Sequence, residues 1–379
     1  MRNLNPGWNR GYSKTITLIV TKDCQLACKY CYLIGKNNKE RMSLCTAKKA
    51  VDYILSLERV FIEEYVVWEF IGGEPLLEID LISEICDYIE KRLTELNHRW
   101  KNKYKFSIST NGINYHEEKI QQFIKKWHKR LSIGITIDGT EQKHDINRVW
   151  KNNNAKGSYK DVVKNIPLWI KQFPNQPTKV TISHEDLPFV KESILHLFSL
   201  GIHEVRANVV FENVWFERDD IIFEEQLLEL ADYIIENRLY EEYVCSLFSK
   251  DIGKPLLSDS NWCGAGKMLS IDSEGNIYPC TRFAKYALQT KDPIIIGNID
   301  TGINWNLLRP FLTLGRRAQS PKKCIKCDIA SGCAWCQAVN YDSADTDTIF
   351  QRSIAVCKMH KARVRANNYY WSRLENEIL

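Results

Sequence analysis

The sequence predicts an α/β protein: a partial (β/α)6 barrel followed by a small Cys-rich C-terminal domain. Three observations predict it. Strand-like apolar runs alternate with stretches of helical period through six repeats, the order that builds a parallel sheet with right-handed crossovers. Polar and glycine-rich motifs follow the strand runs, where a parallel sheet presents its chemistry. After residue 250 the alternation stops and cysteines crowd together. An open six-strand barrel suits this order, although a closed barrel and a doubly wound sheet share the same periodicity.

The strand runs are the short apolar stretches 15–21, 65–71, 104–109, 131–137, 178–183 and 204–210. Helical spacing is read over 46–57, 79–96, 116–127, 159–173, 187–200 and 222–237. Beyond residue 250 a hairpin is expected from 267–272, the turn Ser273-Glu274-Gly275-Asn276, and Ile277-Tyr278-Pro279-Cys280. The division predicted is therefore 1–250 and 251–379, the second part ending in a helix.

Composition is that of a globular protein, 44% hydrophobic and 26% charged. No apolar run approaches the roughly 20 residues that cross a bilayer, and the polar residues 1–10 do not form a secretory signal. A cytoplasmic location is expected, where 13 cysteines are better explained by metal or cluster ligation than by disulfides. A net charge of +5 does not argue for a nucleic-acid partner. The basic run 125–130 reads as a solvated helix end.

Cys24, Cys28 and Cys31 lie in one run, Cys-Gln-Leu-Ala-Cys-Lys-Tyr-Cys, directly after the first strand. Three thiolates at offsets of four and three can hold three irons of a cubane cluster and leave the fourth open. Structural zinc instead favours two separated Cys pairs, and the next cysteine, Cys45, follows a polar stretch. At later strand ends stand Gly72-Gly73-Glu74-Pro75, Ser109-Thr110-Asn111-Gly112, and Asp138-Gly139 followed by His144-Asp145 and Arg148; Arg206 and Asn208 end the sixth strand. Singly, each of these reads as a turn or cap. In this order the run and the strand ends resemble the radical S-adenosylmethionine (SAM) superfamily, whose signature is Cys-x3-Cys-x-aromatic-Cys with Tyr30 at the aromatic position. The resemblance implies a partial barrel, a [4Fe-4S] cluster on Cys24, Cys28 and Cys31, and SAM chelated at its open iron. It also implies SAM contacts from Tyr30, Gly72, Gly73, Glu74, Pro75, Ser109, Asn111 and Asp138, with Arg206 and Asn208 assigned by position.

The C-terminal cysteines run Cys263, Gly275, Cys280, then Cys324-x2-Cys327-x5-Cys333-x2-Cys336, and finally Cys357. In isolation the Cys-x2-Cys pairs suit two structural zinc sites. The order resembles the SPASM domain, a module that binds two auxiliary [4Fe-4S] clusters, with one step of two residues where the family has three. By order, Cys324, Cys327, Cys333 and Cys357 would hold an outer cluster, and Cys263, Cys280 and Cys336 an inner one that lacks a fourth ligand. Cys245 is the nearest cysteine for it; otherwise that iron is open. Cys45, Cys86 and Cys245 otherwise read as core cysteines. The segment from Gly332 to Trp371 resembles maturases of ribosomally made Cys-rich or repeat-bearing peptides.

The resemblance implies hydrogen abstraction from a peptide, followed by crosslinking, with a thioether as the expected bond. Epimerisation, carbon–carbon crosslinking and backbone excision share the same first half. Sulfatase maturation shares the architecture, but an Asp usually follows the second SPASM cysteine there, and this chain has Thr281 and Arg282. A non-enzymatic cluster- or zinc-binding module is disfavoured by the strand-end motifs, and RNA modification by the mild charge. Expected partners are a precursor peptide and a low-potential electron donor of flavodoxin or ferredoxin type. Because only 23 residues precede Cys24, a separate leader-recognition protein is expected, or recognition by the barrel surface.

Overall fold

A computed structural model describes residues 13–36, 38–259 and 263–378. The stretch 1–10 read above lies outside the described residues. Strands β1 (Ser13–Thr21), β2 (Tyr65–Gly72), β3 (Tyr104–Thr110) and β4 (Leu131–Ile135) pair in parallel and in sequence order. A single parallel bridge, Thr136 to Lys179, carries the wall on to β7 (Thr178–Ile182), which pairs in parallel with β8 (Glu204–Val209). Between them a small antiparallel hairpin, β5 (Val149–Trp150) with β6 (Asn153–Gly157), stands apart from the wall. The six expected strands are thus the six parallel wall strands, and their ends agree to within two residues.

Alternation within each strand separates two faces. On β1, Ile16, Leu18 and Val20 are fully buried toward the helices; on β3, Tyr104, Phe106 and Ile108 do the same while Ser107 and Ser109 face the other way. Helices α1 (Leu44–Ser56) and α2 (Ile79–Glu95) cover that apolar face. Ser43 caps α1 by accepting from the Thr46 amide at 3.0 Å. On α2, Ile82, Ile85, Cys86, Ile89 and Leu93 form the buried stripe, so Cys86 is a core residue.

Two expected helices differ. The stretch 159–173 is two helices, Tyr159–Val163 and Ile166–Gln172. Pro167 cannot donate in mid-helix and sits in the first turn of the second, and Asn165 at the break bonds the carbonyls of Gly112 and Ile113. The stretch 187–200 begins as a 3-10 turn over His184–Phe189, which contains Pro188, before becoming helix over Val190–Ser199.

The cysteine-rich half is joined to the barrel sheet. Leu269–Ile271 pairs in parallel with the free edge of β1 and in antiparallel with Asn276–Tyr278, the expected hairpin. The helix Cys357–Ile378 lies along the helix Asp219–Glu236. It buries Met359, Ala362, Ala366, Tyr370 and Leu374 on one stripe, and Arg365 and Arg373 bond Glu224 and Glu236 on its flank. Two alanines in that stripe let the helix axes approach closely.

Candidate functional site

The 24–31 loop leaves β1 and is fastened on two sides. Ala27 N–H bonds the Val149 carbonyl at 2.8 Å and Lys29 N–H the Asn147 carbonyl at 3.0 Å. On the other side, Gly73 and Glu74 amides bond the carbonyls of Thr21 and Asp23. A Cβ on Gly72 would fall 2.1 Å from the Thr21 oxygen, and one on Gly73 2.1 Å from the Asp23 oxygen. The two glycines therefore seat the cysteine loop. Glu74 lies next to them. Its carboxylate, 1% exposed, accepts from the Leu76 amide, the Thr110 hydroxyl and the Asn111 amide, a set that leaves it spent within the protein. Pro75 is buried in the turn that follows. The side chain of Asn111 donates to Gln25 at 3.1 Å and accepts from the Ile113 amide, which ties the third strand end to the cysteine loop.

Cys24 is buried, and Cys28 and Cys31 are half-buried. Burial pushes the Cys24 thiol up to about 12, with the Glu74 carboxylate adding to it. Burial raises Cys28 as well, while the Arg148 guanidinium opposes the shift. Such thiols stay protonated unless a cation or metal takes up their charge.

Beside the loop lies a buried polar network. The Tyr30 hydroxyl donates to Asp138 and accepts from Arg148 at 3.0 Å. The other Asp138 oxygen accepts from the Thr181 amide at 3.0 Å. Burial would raise the Asp138 carboxyl, but Lys143 and Arg148 nearby and the Tyr30 bond together hold it below the usual carboxylate range. His144 Nδ1 accepts from the Asp138 amide at 3.3 Å, so Nε2 carries the proton toward Ser158, 3.0 Å away. Lys143 and Asp186 form a buried ion pair at 3.0 Å, and Asn147 also donates to Asp186. The Arg148 Nε is buried without a partner. The motif residues His144 and Arg148 thus converge on Asp138, while Asp145 instead caps the Tyr159 amide at 2.9 Å.

The inner face of the barrel is polar. Ser107, Ser109, Ser132, Thr136, Arg206 and Asn208 line a cavity of about 290 Å3 together with Lys179. Ser109 and Asn208 are exposed to it, and Arg206 is partly engaged by Glu204 at 2.7 Å. Lys179 is exposed to the lumen, yet the enclosing wall and then Arg282 lower its ammonium pKa, with Asp138 and Glu69 opposing. Sequence reasoning missed Lys179, which only its inward position on β7 could have indicated.

The C-terminal thiols fall into two groups. Cys324, Cys327, Cys333 and Cys357 line one cavity of about 180 Å3. Arg352 Nη2 donates to Cys333 Sγ at 3.0 Å, its guanidinium 4.3 Å from the ring centroid of Trp335. Cys263, Cys280 and Cys336 come together in the second group, with burial and then the Cys336 thiol raising both Cys263 and Cys280. Cys245 is buried elsewhere, beside Arg363 and Tyr370. Tyr32 joins the second group to the first loop, lying within electrostatic reach of both Cys31 and Cys280. Among the described residues, no three His, Cys, Asp or Glu side chains gather tightly enough to hold a single metal ion. Four thiolates on zinc, at about 2.3 Å from it, would crowd to about 3.8 Å of one another. Thiols spaced around a cavity fit a multi-iron cluster better.

Comparison with known proteins agrees with this geometry. Residues 18–184 match the family described as the radical SAM superfamily. An uncharacterised protein of Methanocaldococcus jannaschii is 34% identical over 199 residues, 52% of this chain and 63% of the relative. A cysteine-type anaerobic sulfatase-maturating enzyme of Clostridium novyi is 30% identical over 161 residues, 41% of this chain and 40% of the relative. The chain thus spans less than two thirds of the length of either. A solved structure, native anSMEcpe with bound AdoMet and Cp18Cys peptide, superposes with a TM-score of 0.68 at 18% identity, covering 96% of this chain and 98% of that one.

Proposed function

We propose that this chain, whose residues 18–184 match the radical SAM superfamily, is a peptide maturase that forms a thioether crosslink in a ribosomally made precursor. In this reading residues 1–250 carry the radical chemistry and 251–379 the auxiliary clusters. A [4Fe-4S] cluster on Cys24, Cys28 and Cys31 would supply, with SAM and one electron, a 5′-deoxyadenosyl radical, and the auxiliary clusters would take up the electron left when sulfur joins carbon.

The observation that carries the reading is the second thiol group. It holds three cysteines while Cys245 is buried beside Arg363 and Tyr370, so a substrate thiolate has a place to complete it. The chain's own residues do the rest. The Tyr30–Asp138–Arg148 network fixes the loop opposite the lumen and leaves the Arg148 Nε unpaired for a carboxylate. The hydroxyl-lined lumen accepts an extended peptide without apolar selection. Lys179, its ammonium pKa lowered by the enclosing wall, is placed to take the proton of a substrate thiol at Nζ. Per crosslink, one C–H and one S–H break and one C–S forms. The hydrogen atom goes to 5′-deoxyadenosine.

Sulfatase maturation is the second reading, favoured by the similarity to the Clostridium novyi enzyme. Against it, Thr281 offers no carboxylate, and its hydroxyl pairs with Ser270 at 2.9 Å. The test is anaerobic reconstitution followed by mass spectrometry of two peptides. A Cys-containing precursor encoded beside the gene should lose two hydrogens per crosslink, and a Cys-type sulfatase peptide should stay unmodified. Formylglycine in the latter would reverse the ranking, and zinc in place of iron would end both readings.

A further inference from the structure

Buried carboxamides in the C-terminal half are satisfied at both ends, with one exception. Asn340 donates to Gln319 and accepts from the Ser353 amide, and Asn367 donates to the Ser249 carbonyl and accepts from the Ser249 amide. Gln337 opens the same short helix as Asn340 (Gln337–Asp342) and is fully buried, yet its Oε1 and Nε2 both lack a partner. Among the described residues it is the only side chain with two such atoms. A buried amide open at both ends is costly, because each end has given up water without gaining a bond.

The neighbours of Gln337 are the inner thiols. Cys336 precedes it across a trans peptide, so their Cα atoms stand about 3.8 Å apart. The Gln337 backbone amide bonds the Cys263 thiol. Gln337 thus adjoins two of the three cysteines of a group that lacks a fourth ligand. We propose that Gln337 is the fourth holder of that group, with Oε1 on the iron that Cys263, Cys280 and Cys336 leave open and Nε2 donating to a sulfur of the same cluster. One occupant then satisfies both ends of the carboxamide, since a cluster offers a Lewis-acidic iron and sulfur acceptors together. A neutral oxygen is a weak ligand beside thiolate, so Gln337 covers the iron at rest and yields to a substrate thiol. In that exchange one Fe–O bond breaks and one Fe–S bond forms, no electron moves, and the thiol proton passes to Lys179 Nζ. The inference rests on reading the three cysteines as a cluster site.

The experiment uses the full chain, reconstituted anaerobically, and the iron chelator bathophenanthroline disulfonate. Iron in the parent is counted first: about twelve per chain supports the cluster reading, and zinc or about eight irons would overturn that reading and the proposal with it. Gln337→Leu removes both polar ends at similar volume. Without iron this variant should unfold at or above the temperature of the parent, because two unpaired atoms are gone. With iron it should surrender about four irons to the chelator at least about tenfold faster than the parent. Gln337→Glu keeps an oxygen at the same reach. It should hold its iron as the parent does, and its added negative charge should lower the midpoint potential of the inner electron paramagnetic resonance signal. With twelve irons in the parent, iron held by Gln337→Leu at the parental rate would overturn the proposal alone, since water would then be what meets the carboxamide. Fast loss from Gln337→Glu as well would also overturn it, because Nε2 rather than Oε1 would be what holds the group. If Gln337→Leu does not fold, Gln337→Met, unbranched like glutamine, decides by the same chelator rates.

Discussion

The guanidinium of Arg282 lies over the ring of Tyr32, 4.4 Å from its centroid, and donates to Glu212 at 2.6 Å. This pair stands between the two halves of the chain: Tyr32 follows Cys31, and Arg282 is two residues beyond Cys280. Charge from Cys336 and Glu212 raises the Arg282 pKa against the effect of burial, which comes first, so the residue is a permanent cation beside the inner thiols. Replacing it should favour the oxidised form of a group bound there. The variant Arg282→Gln should lower the midpoint potential of one auxiliary signal in a redox titration followed by electron paramagnetic resonance. The scale is about 60 mV for each tenfold change of a one-electron equilibrium. An unchanged potential would place the charge out of reach.

Gly73→Ala should disable the first site selectively. Its Cβ would meet the Asp23 carbonyl at 2.1 Å and the Cys24 Cβ at 2.9 Å, so the cysteine loop must shift. The reconstituted variant should lack about one cluster's worth of iron and should not cleave SAM, while the auxiliary signals persist. Full iron with normal cleavage would show that the loop tolerates the displacement.

Cys245→Ala separates the two accounts of the inner group. With Cys245 among Leu247, Arg363 and Tyr370, the change should leave iron content as in the parent and cost about 1 kcal/mol of stability. Loss of about four irons would make Cys245 a ligand.

His144 imposes a pH dependence. Its pKa is lowered from 6.5 to about 3, chiefly by burial and then by Arg148. The unfolded chain therefore takes up a proton below about 6.5 that the folded chain refuses, and stability falls as pH drops from about 6.5 toward 3. Between pH 8 and 5 this removes about 2 kcal/mol. His144→Gln, uncharged throughout, should lose that part of the slope in urea titrations at the two pH values. An unaltered slope would locate the dependence in other groups.

Local pattern determined much of this protein. Period-two and period-3.6 alternation record which side of each element meets the core, so six strands and their helices are legible in order. Cysteine spacing within a few residues, as in 24–31 and 324–336, is chain geometry and needs no tertiary information. The glycines before Glu74 were legible as special, but their reason, the carbonyls of Thr21 and Asp23, lies some 50 residues away. What only the tertiary structure decided are contacts between distant segments. Tyr30 meets Asp138 across 108 residues, Lys143 meets Asp186 across 43, and Arg282 covers Tyr32 across the whole barrel. The same holds for Cys245, which is close to Cys263 in sequence but sits on a short strand paired with β8 and so is turned into another part of the core. Periodicity tells a side chain which face it occupies; the curvature of a parallel wall decides which other strand end that face confronts.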